Sequence, residues 1–202
     1  KVICTPDPAR PKDKHGIAFA LHSTPTSPAI GRVGGSISTL VRRARIGVDR
    51  TAWDFLSIAL AVIAADLGVQ RTGTPDGWTR QIELTVGLQS PAIWKGQIDA
   101  LAETLSFLTG DIWEIKLRAG GPTPPEPAKR RRPGPLPSGD LVCLLSGGMD
   151  SLVGAIDLVA QGRTPVLVSQ KASGDSDRQR SFAKQIDPSL ALAALDRVRH
   201  QS

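Results

Sequence analysis

The chain has 202 residues, 40% apolar content and a net charge of +6, which suits one large or two small globular domains. No apolar run reaches about 18 residues, so no membrane span is expected, and the first residues do not resemble a signal peptide. The two cysteines, Cys4 and Cys143, lie far apart in the sequence, and a reducing, cytoplasmic setting is expected.

The first 34 residues are interrupted by five prolines, which predicts a short strand followed mostly by loop. The isolated His15 and His22 are expected at the surface, and residues 31–35 are expected to form a turn. From Thr51 to Asp66 apolar side chains recur at helical spacing, so a helix with a capping-box start is predicted there.

Alternating apolar residues at 80–88 and 112–118 predict two half-buried strands. Between them, Pro91 begins a helical apolar stripe that Gly110 ends. Two helices against an antiparallel sheet would make residues 1–118 an α+β domain. That domain shows no nucleophile–base pair and no metal-ligand cluster, so a recognition or docking role is expected. Trp53, Trp78, Trp94 and Trp113 are groove candidates, but core positions are expected for the last two; the proposed partner-contact loop comprises Asp76, Gly77, Trp78 and Arg80.

Residues 119–139 are rich in proline and glycine and contain Lys129-Arg130-Arg131-Arg132, which predicts an extended interdomain linker. Such a run can contact nucleic-acid phosphates. No aromatic residue is interleaved to stack on bases, so a solvated linker is the preferred interpretation and a nucleic-acid partner is not expected.

Residues 146–151 read Ser-Gly-Gly-Met-Asp-Ser, between an apolar run at 141–145 and a helical run at 152–161. Paired glycines let backbone N–H groups surround an anion, and the following helix start adds further N–H donors. Ser146 and Ser151 offer hydroxyls, and Asp150 is expected to cap the helix, shape the loop or place Mg²⁺ through water. The segment has neither Walker nor Gly-x-Gly-x-x-Gly spacing.

A second buried strand is predicted at 164–169 and a helix near 178–183, whereas residues 188–195 suggest another helix. Two strands are too few for a covered parallel sheet. The sequence therefore predicts that residues 140–202 form an α/β domain that is incomplete in this chain.

The Ser146–Ser151 segment resembles the pyrophosphate loop (PP-loop) of the N-type ATP pyrophosphatases, which include 7-cyano-7-deazaguanine synthase (QueC-like). Val168-Ser169-Gln170 resembles the strand end that lines the adenosine pocket there. With the preceding domain, including Trp53–Leu56 and Phe107–Trp113, the chain resembles the QatC proteins of bacterial anti-phage Qat operons.

The resemblance implies a HUP-like domain that binds ATP and Mg²⁺ and activates a deazaguanine carboxylate for attack by an amine, either ammonia or a partner protein of the same defence operon. It implies catalytic roles for Asp150 and Ser151, and nucleotide contacts from Ser146, Gly147, Gly148, Met149, Asp150, Ser151, Ser169 and Gln170. The family's structural zinc uses four cysteines, more than this chain has, and no metal ligands are assigned. Two alternatives stay open: a nucleotide-binding scaffold without catalysis and a tRNA-modifying enzyme.

Overall fold

The computed structural model describes residues 1–9, 16–25, 27–72, 74–128, 139–170, 176–186 and 192–195, with the backbone alone at 170, 176 and 192–195. The chain divides into two compact units, Lys1–Arg131 and Arg132–Ser202.

The first unit contains a five-stranded parallel sheet in the order β3-β2-β1-β4-β5. Its strands are β1 (Val2–Thr5), β2 (Ile17–Leu21), β3 (Gly31–Val33), β4 (Gln81–Leu88) and β5 (Ile112–Ala119). Its helices are α1 (Gly35–Ala44), α2 (Arg50–Gly68), the short α3 (Pro91–Trp94) and, after a 3₁₀ turn at Lys95–Gln97, α4 (Ile98–Thr109). This strand order is Rossmann- or HUP-like, so the unit is α/β.

The predicted antiparallel α+β arrangement of residues 1–118 is therefore wrong, although both strands and both long helices in it are present. β4 and β5 pair in parallel over their full lengths because α4 carries the chain back to the starting edge between them. β4 is an interior strand between β1 and β5 and is buried over most of its length, which its alternating sequence does not reveal.

The prediction of loop between the first strand and residue 35 is also wrong. The described residues there include β2, β3 and the start of α1, and residues 31–33 form a strand where a turn is expected. These strands are only five and three residues long, and their apolar runs are too short to give a periodic signal.

The core of the first unit lies between α2 and the sheet. Trp53, Ile58, Ala61 and Ala65 of α2 are buried, and the cluster includes Val2, Cys4, Leu21, Ile82, Leu84, Val86, Leu88 and Trp113. Trp53 is thus a core residue, as is Trp113, and Trp94 packs against the same cluster. Within the described residues, α2 is also the one helix long and apolar enough to cross a membrane, but its buried face belongs to this core.

A buried ion-pair network closes the amino edge of the sheet. Arg80 bonds the carboxylates of Asp111 and Asp66, both at 2.5 Å, and donates to the Asp66 and Val69 carbonyls. Arg71 bonds Asp111 at 2.9 Å and lies 4.7 Å from the Trp78 ring centroid. Arg80 is 4% exposed, so its predicted place in an exposed contact loop is wrong, whereas Trp78 is exposed.

The first part of the predicted linker packs on the first unit. The Gly121 N–H donates to the Leu88 carbonyl, and Gln89 donates to the Gly121 carbonyl. A Cβ at Gly121 would lie 2.3 Å from the Leu88 Cα, so only glycine allows this approach. Residues 120–128 are thus part of the first unit, because backbone groups of Gly121 and Ala128 are paired with it.

The second unit holds a smaller parallel sheet. β6 (Leu141–Leu144) pairs with β7 (Pro165–Gln170), which also pairs with β8 (Leu192–Leu195). The helices are α5 (Met149–Ala160) and α6 (Ser176–Ile186). The helix predicted over 188–195 is wrong at 192–195, where pairing with β7 overrides the helical propensity of an alanine-rich run.

Candidate functional site

The Ser146–Ser151 loop joins β6 to α5 at the carboxyl edge of the second sheet. Leu145 is buried and its N–H donates to the Val168 carbonyl, which extends the β6–β7 pairing up to the loop. The chain then turns at Gly147, whose φ is +93°, and α5 begins at Met149 with Gly148 as its N-cap. The predicted order of strand, glycine loop and helix is confirmed, with the helix start one residue before Asp150.

The two serines hold the loop closed through their hydroxyls. The Ser146 N–H and hydroxyl both donate to the Ser151 hydroxyl oxygen, at 3.2 and 3.1 Å. The Ser151 hydroxyl donates to the Gly148 carbonyl at 2.9 Å. In this state the serines shape the loop, and a ligand would gain their hydroxyls only by exchanging these bonds.

The anion-binding capacity of the loop lies in its backbone. Among the described residues, the N–H groups of Gly147, Met149, Asp150 and Ser151 have no acceptor. The last three open α5, where the helix dipole is positive. Gly148, Met149 and Asp150 are exposed, so a ligand can reach this end of the helix.

Asp150 lies in the first turn of α5 without a side-chain contact among the described residues. It does not cap the helix, because Gly148 occupies the N-cap position and no side-chain cap is present. Of the three roles expected for this carboxylate, capping is therefore wrong. Placement of a cation stays a prediction.

Gln179 of α6 forms a hydrogen bond with the loop, and the sequence alone did not predict this contact. Its side-chain amide donates to the Ser146 carbonyl at 3.0 Å, and the residue is 4% exposed. A Cβ at Gly147 would lie 3.3 Å from its Cγ. The sequence does contain one sign of this role: Gln179 is a polar residue at helical spacing from the apolar Phe182, Ala183 and Ile186 on the same helix.

Ser169 and Gln170 end β7 beside the loop. Ser169 is buried and its hydroxyl donates to the Leu145 carbonyl at 2.7 Å, so it ties β7 to the residue before the loop. Gln170 lies at the carboxyl end of β7, and its side chain is outside the described residues. Their contacts with a nucleotide stay predictions.

A second polar cluster lies at the carboxyl edge of the first sheet. His22, predicted at the surface, is instead half-buried: it stacks on Trp53 at 4.2 Å, and its ring nitrogens lie 3.2 Å from the Ser57 hydroxyl and the Gly34 carbonyl. Burial lowers the pKa of His22, and the bond to Gly34 opposes that shift. Ser57 is fully buried and donates to the Trp53 carbonyl, which leaves this cluster structural. His15 lies outside the described residues.

The described residues contain no group of three or more metal-ligating side chains. Cys4 is buried, and burial raises its pKa to about 12. Cys143 lies in β6 of the other unit.

No protein-family model matches the sequence, and no curated protein and no solved structure is significantly similar to it.

Proposed function

We propose that the second unit binds the triphosphate of ATP at the Ser146–Ser151 loop and transfers its adenylyl group. The observation that supports this is the set of four acceptor-free N–H groups at the start of a helix on the carboxyl edge of a parallel sheet, those of Gly147, Met149, Asp150 and Ser151. Ligands of open α/β sheets bind outside this edge. We also propose that the second unit is a PP-loop domain.

The charges around the loop favour a magnesium-bound phosphate over a free one. The N–H groups and the dipole attract an anion, with each such contact contributing about 0.3–1 kcal/mol at an exposed site. The Asp150 carboxylate in the first turn would repel that anion if nothing lay between them. Mg²⁺ held through water by Asp150 would reverse this repulsion and stabilise negative charge on the pyrophosphate.

The proposed reaction is the formation of an amide through an acyl-adenylate. An oxygen of a deazaguanine-type carboxylate attacks the α-phosphorus of ATP, the bond to the β-phosphate oxygen breaks, and pyrophosphate leaves. An amine then attacks the acyl carbon, loses a proton, and AMP departs. The loop N–H groups would stabilise the pyrophosphate, with Ser146 and Ser151 as further donors. The acceptor would be ammonia or an amine of a partner protein in anti-phage defence.

The test measures pyrophosphate release from ATP, Mg²⁺ and 7-carboxy-7-deazaguanine with an amine donor. Replacing Asp150 by alanine should reduce the rate about tenfold to a hundredfold, because a residue that holds a metal through water typically contributes that much. Asp157→Ala is the matched control, since it removes an exposed carboxylate from the same helix away from the loop. Equal rates in the wild type and Asp150→Ala would exclude the role of this carboxylate.

A measurement of ATP binding, compared with pyrophosphate release, distinguishes a catalytic unit from a nucleotide-binding scaffold. Isothermal titration with ATP and Mg²⁺ should show binding that Gly148→Val weakens, because a branched side chain would block the approach of a phosphate to the loop. Binding without any pyrophosphate release would support the scaffold. Absence of ATP binding in the wild type would overturn the proposal as a whole.

A further inference from the structure

Four arginines gather in the first unit where α1 ends and α2 begins: Arg42, Arg43, Arg45 and Arg50. We call them the basic surface. Arg42, Arg43 and Arg50 are exposed, and among the described residues none of these three forms an ion pair. By contrast, Arg71, Arg80 and Lys116 in the same unit all bond carboxylates.

The end of the packed segment 120–128 joins this surface. The Ala128 N–H donates to the Arg42 carbonyl at 3.1 Å, and the Arg45 side chain donates to the Ala128 carbonyl at 2.6 Å. The sequence continues from Ala128 directly into Lys129-Arg130-Arg131-Arg132. The fold therefore holds Ala128, the residue that precedes the tetra-basic run in the sequence, next to arginines that lie more than 80 positions earlier in the chain.

In the sequence, the excess of positive charge lies in the two segments that the Arg42–Ala128 contact connects. Residues 40–50 contain four arginines and one aspartate, and residues 120–132 contain four cations and one glutamate, so the two segments together carry +6, as does the full sequence. The aspartate, Asp49, accepts the N–H groups of Thr51 and Ala52 as the N-cap of α2.

The helix end itself does not require so many cations. The carboxyl end of α1 carries about half a negative charge, which one basic residue in the last turn offsets. The remaining arginines repel one another at a cost to the folded state, and that repulsion is relieved when a polyanion binds. Arginine also suits phosphate better than lysine does, because its planar fork donates two parallel hydrogen bonds.

From this arrangement we propose that the basic surface binds the phosphate backbone of double-stranded nucleic acid. Large exposed apolar side chains between residues 35 and 50 are Leu40 and Ile46, and both are less than half exposed, so this stretch offers little to insert into a lipid surface. Aromatic side chains for base stacking are absent from residues 40–50 and 120–132, which disfavours single strands. The binding is electrostatic and independent of sequence, and it does not depend on the ATP site.

The experiment measures binding of the full chain to fluorescein-labelled 20-base-pair RNA and DNA duplexes by anisotropy, between 50 and 250 mM KCl. The logarithm of the association constant should fall linearly with the logarithm of salt concentration. The double variant Arg42→Gln/Arg43→Gln should reduce the magnitude of that slope by about 2, because each lost phosphate contact removes about 0.9. The duplex bound more tightly identifies the physiological class.

Two further variants test whether the effect on binding is specific to the positive charge at positions 42 and 43. Arg42→Lys/Arg43→Lys retains the charge and should restore most of the slope. Lys95→Gln/Lys184→Gln removes two exposed cations elsewhere and should leave the slope unchanged. The proposal would be overturned if the Lys95/Lys184 variant bound the duplex as weakly as the Arg42→Gln/Arg43→Gln variant. It would also be overturned if the chain bound a single strand, or vesicles with 30% phosphatidylserine, more tightly than the duplex. Thermal melting of the four proteins establishes that all are folded.

Discussion

At the scale of single residues, the loop depends on a side chain from another element. Gln179 reaches from α6 to the Ser146 carbonyl, and its Cγ would lie 3.3 Å from a Cβ at Gly147. A buried amide that donates to a loop carbonyl restricts the loop to one conformation. The acceptor-free N–H groups of Gly147, Met149, Asp150 and Ser151 can then bind a ligand without a further entropic cost of ordering the loop.

We expect Gln179→Ala to weaken ATP binding about fivefold, which corresponds to the roughly 1 kcal/mol that a typical hydrogen bond contributes. Titration calorimetry with ATP and Mg²⁺ measures this change. Gln185→Ala is the matched control, because Gln185 lies on the same helix, is exposed, and bonds the Ser181 hydroxyl instead of the loop. Identical ATP affinities for the two variants would show that Gln179 does not support the binding conformation.

At the scale of elements, the strand–loop–helix unit requires glycine at position 147. Its φ of +93° is a conformation that residues with a side chain rarely adopt, and an added Cβ would make a tight contact of 3.3 Å with the Gln179 Cγ. Gly154, in the middle of α5, has open space around it. The same substitution should therefore have opposite effects at these two positions.

Gly147→Ala should lower the free energy of unfolding of the second unit by about 1–3 kcal/mol, the usual cost of a strained backbone conformation. Gly154→Ala should raise it by about 0.5–1 kcal/mol, because alanine loses less conformational entropy than glycine in a helix. Urea unfolding followed by circular dichroism measures both changes. A stabilising effect of Gly147→Ala would contradict the conformation described for the loop.

At the scale of the whole molecule, both units have an apolar core, and the first adds a buried ion pair. The first unit combines an apolar core with the buried Arg80–Asp111 pair at the amino edge of its sheet. The second has a smaller core, around Leu145, Ala155, Leu167 and Ala183. As the pH falls, the free energy of unfolding should therefore decrease first in the first unit, which buries a carboxylate.

Burial disfavours the charged form of Asp111, but hydrogen bonds from Arg80 outweigh it and lower the pKa to about 2. Because the folded pKa lies below the ordinary value of 3.8, this carboxylate stabilises the fold above pH 4 by about 2 kcal/mol. That contribution should disappear as the pH falls from 4 to 2. Urea unfolding at successive pH values measures it.

Asp111→Asn should remove this pH-dependent contribution and cost about 3–5 kcal/mol at neutral pH, because it leaves the buried Arg80 charge with one partner fewer. Asp7→Asn is the control, since Asp7 is exposed and forms no ion pair among the described residues. An unfolding free energy that falls between pH 4 and 2 as steeply in Asp111→Asn as in the wild type would contradict this assignment.

Elements with strong local signals could be predicted from the sequence. The helix from residue 50 to 68, the strands at 81–88 and 112–119 and the turn from β6 into α5 follow from periodicity, from Gly110 and from the paired glycines at 147 and 148. The candidate loop was predictable for the same reason, since its donors are consecutive backbone groups.

Features that depend on pairing between distant segments could be seen only in the tertiary structure. Several features depend on contacts between residues far apart in the sequence, which no local pattern predicts. They are the strand direction in the first sheet, the strand at 192–195, the burial of Arg80 and the hydrogen bond from Gln179 to the loop. The meeting of Arg42 with Ala128 is of the same kind. A local pattern reports which face of a segment is apolar, but the partner that covers this face is selected by the free energy of the whole fold.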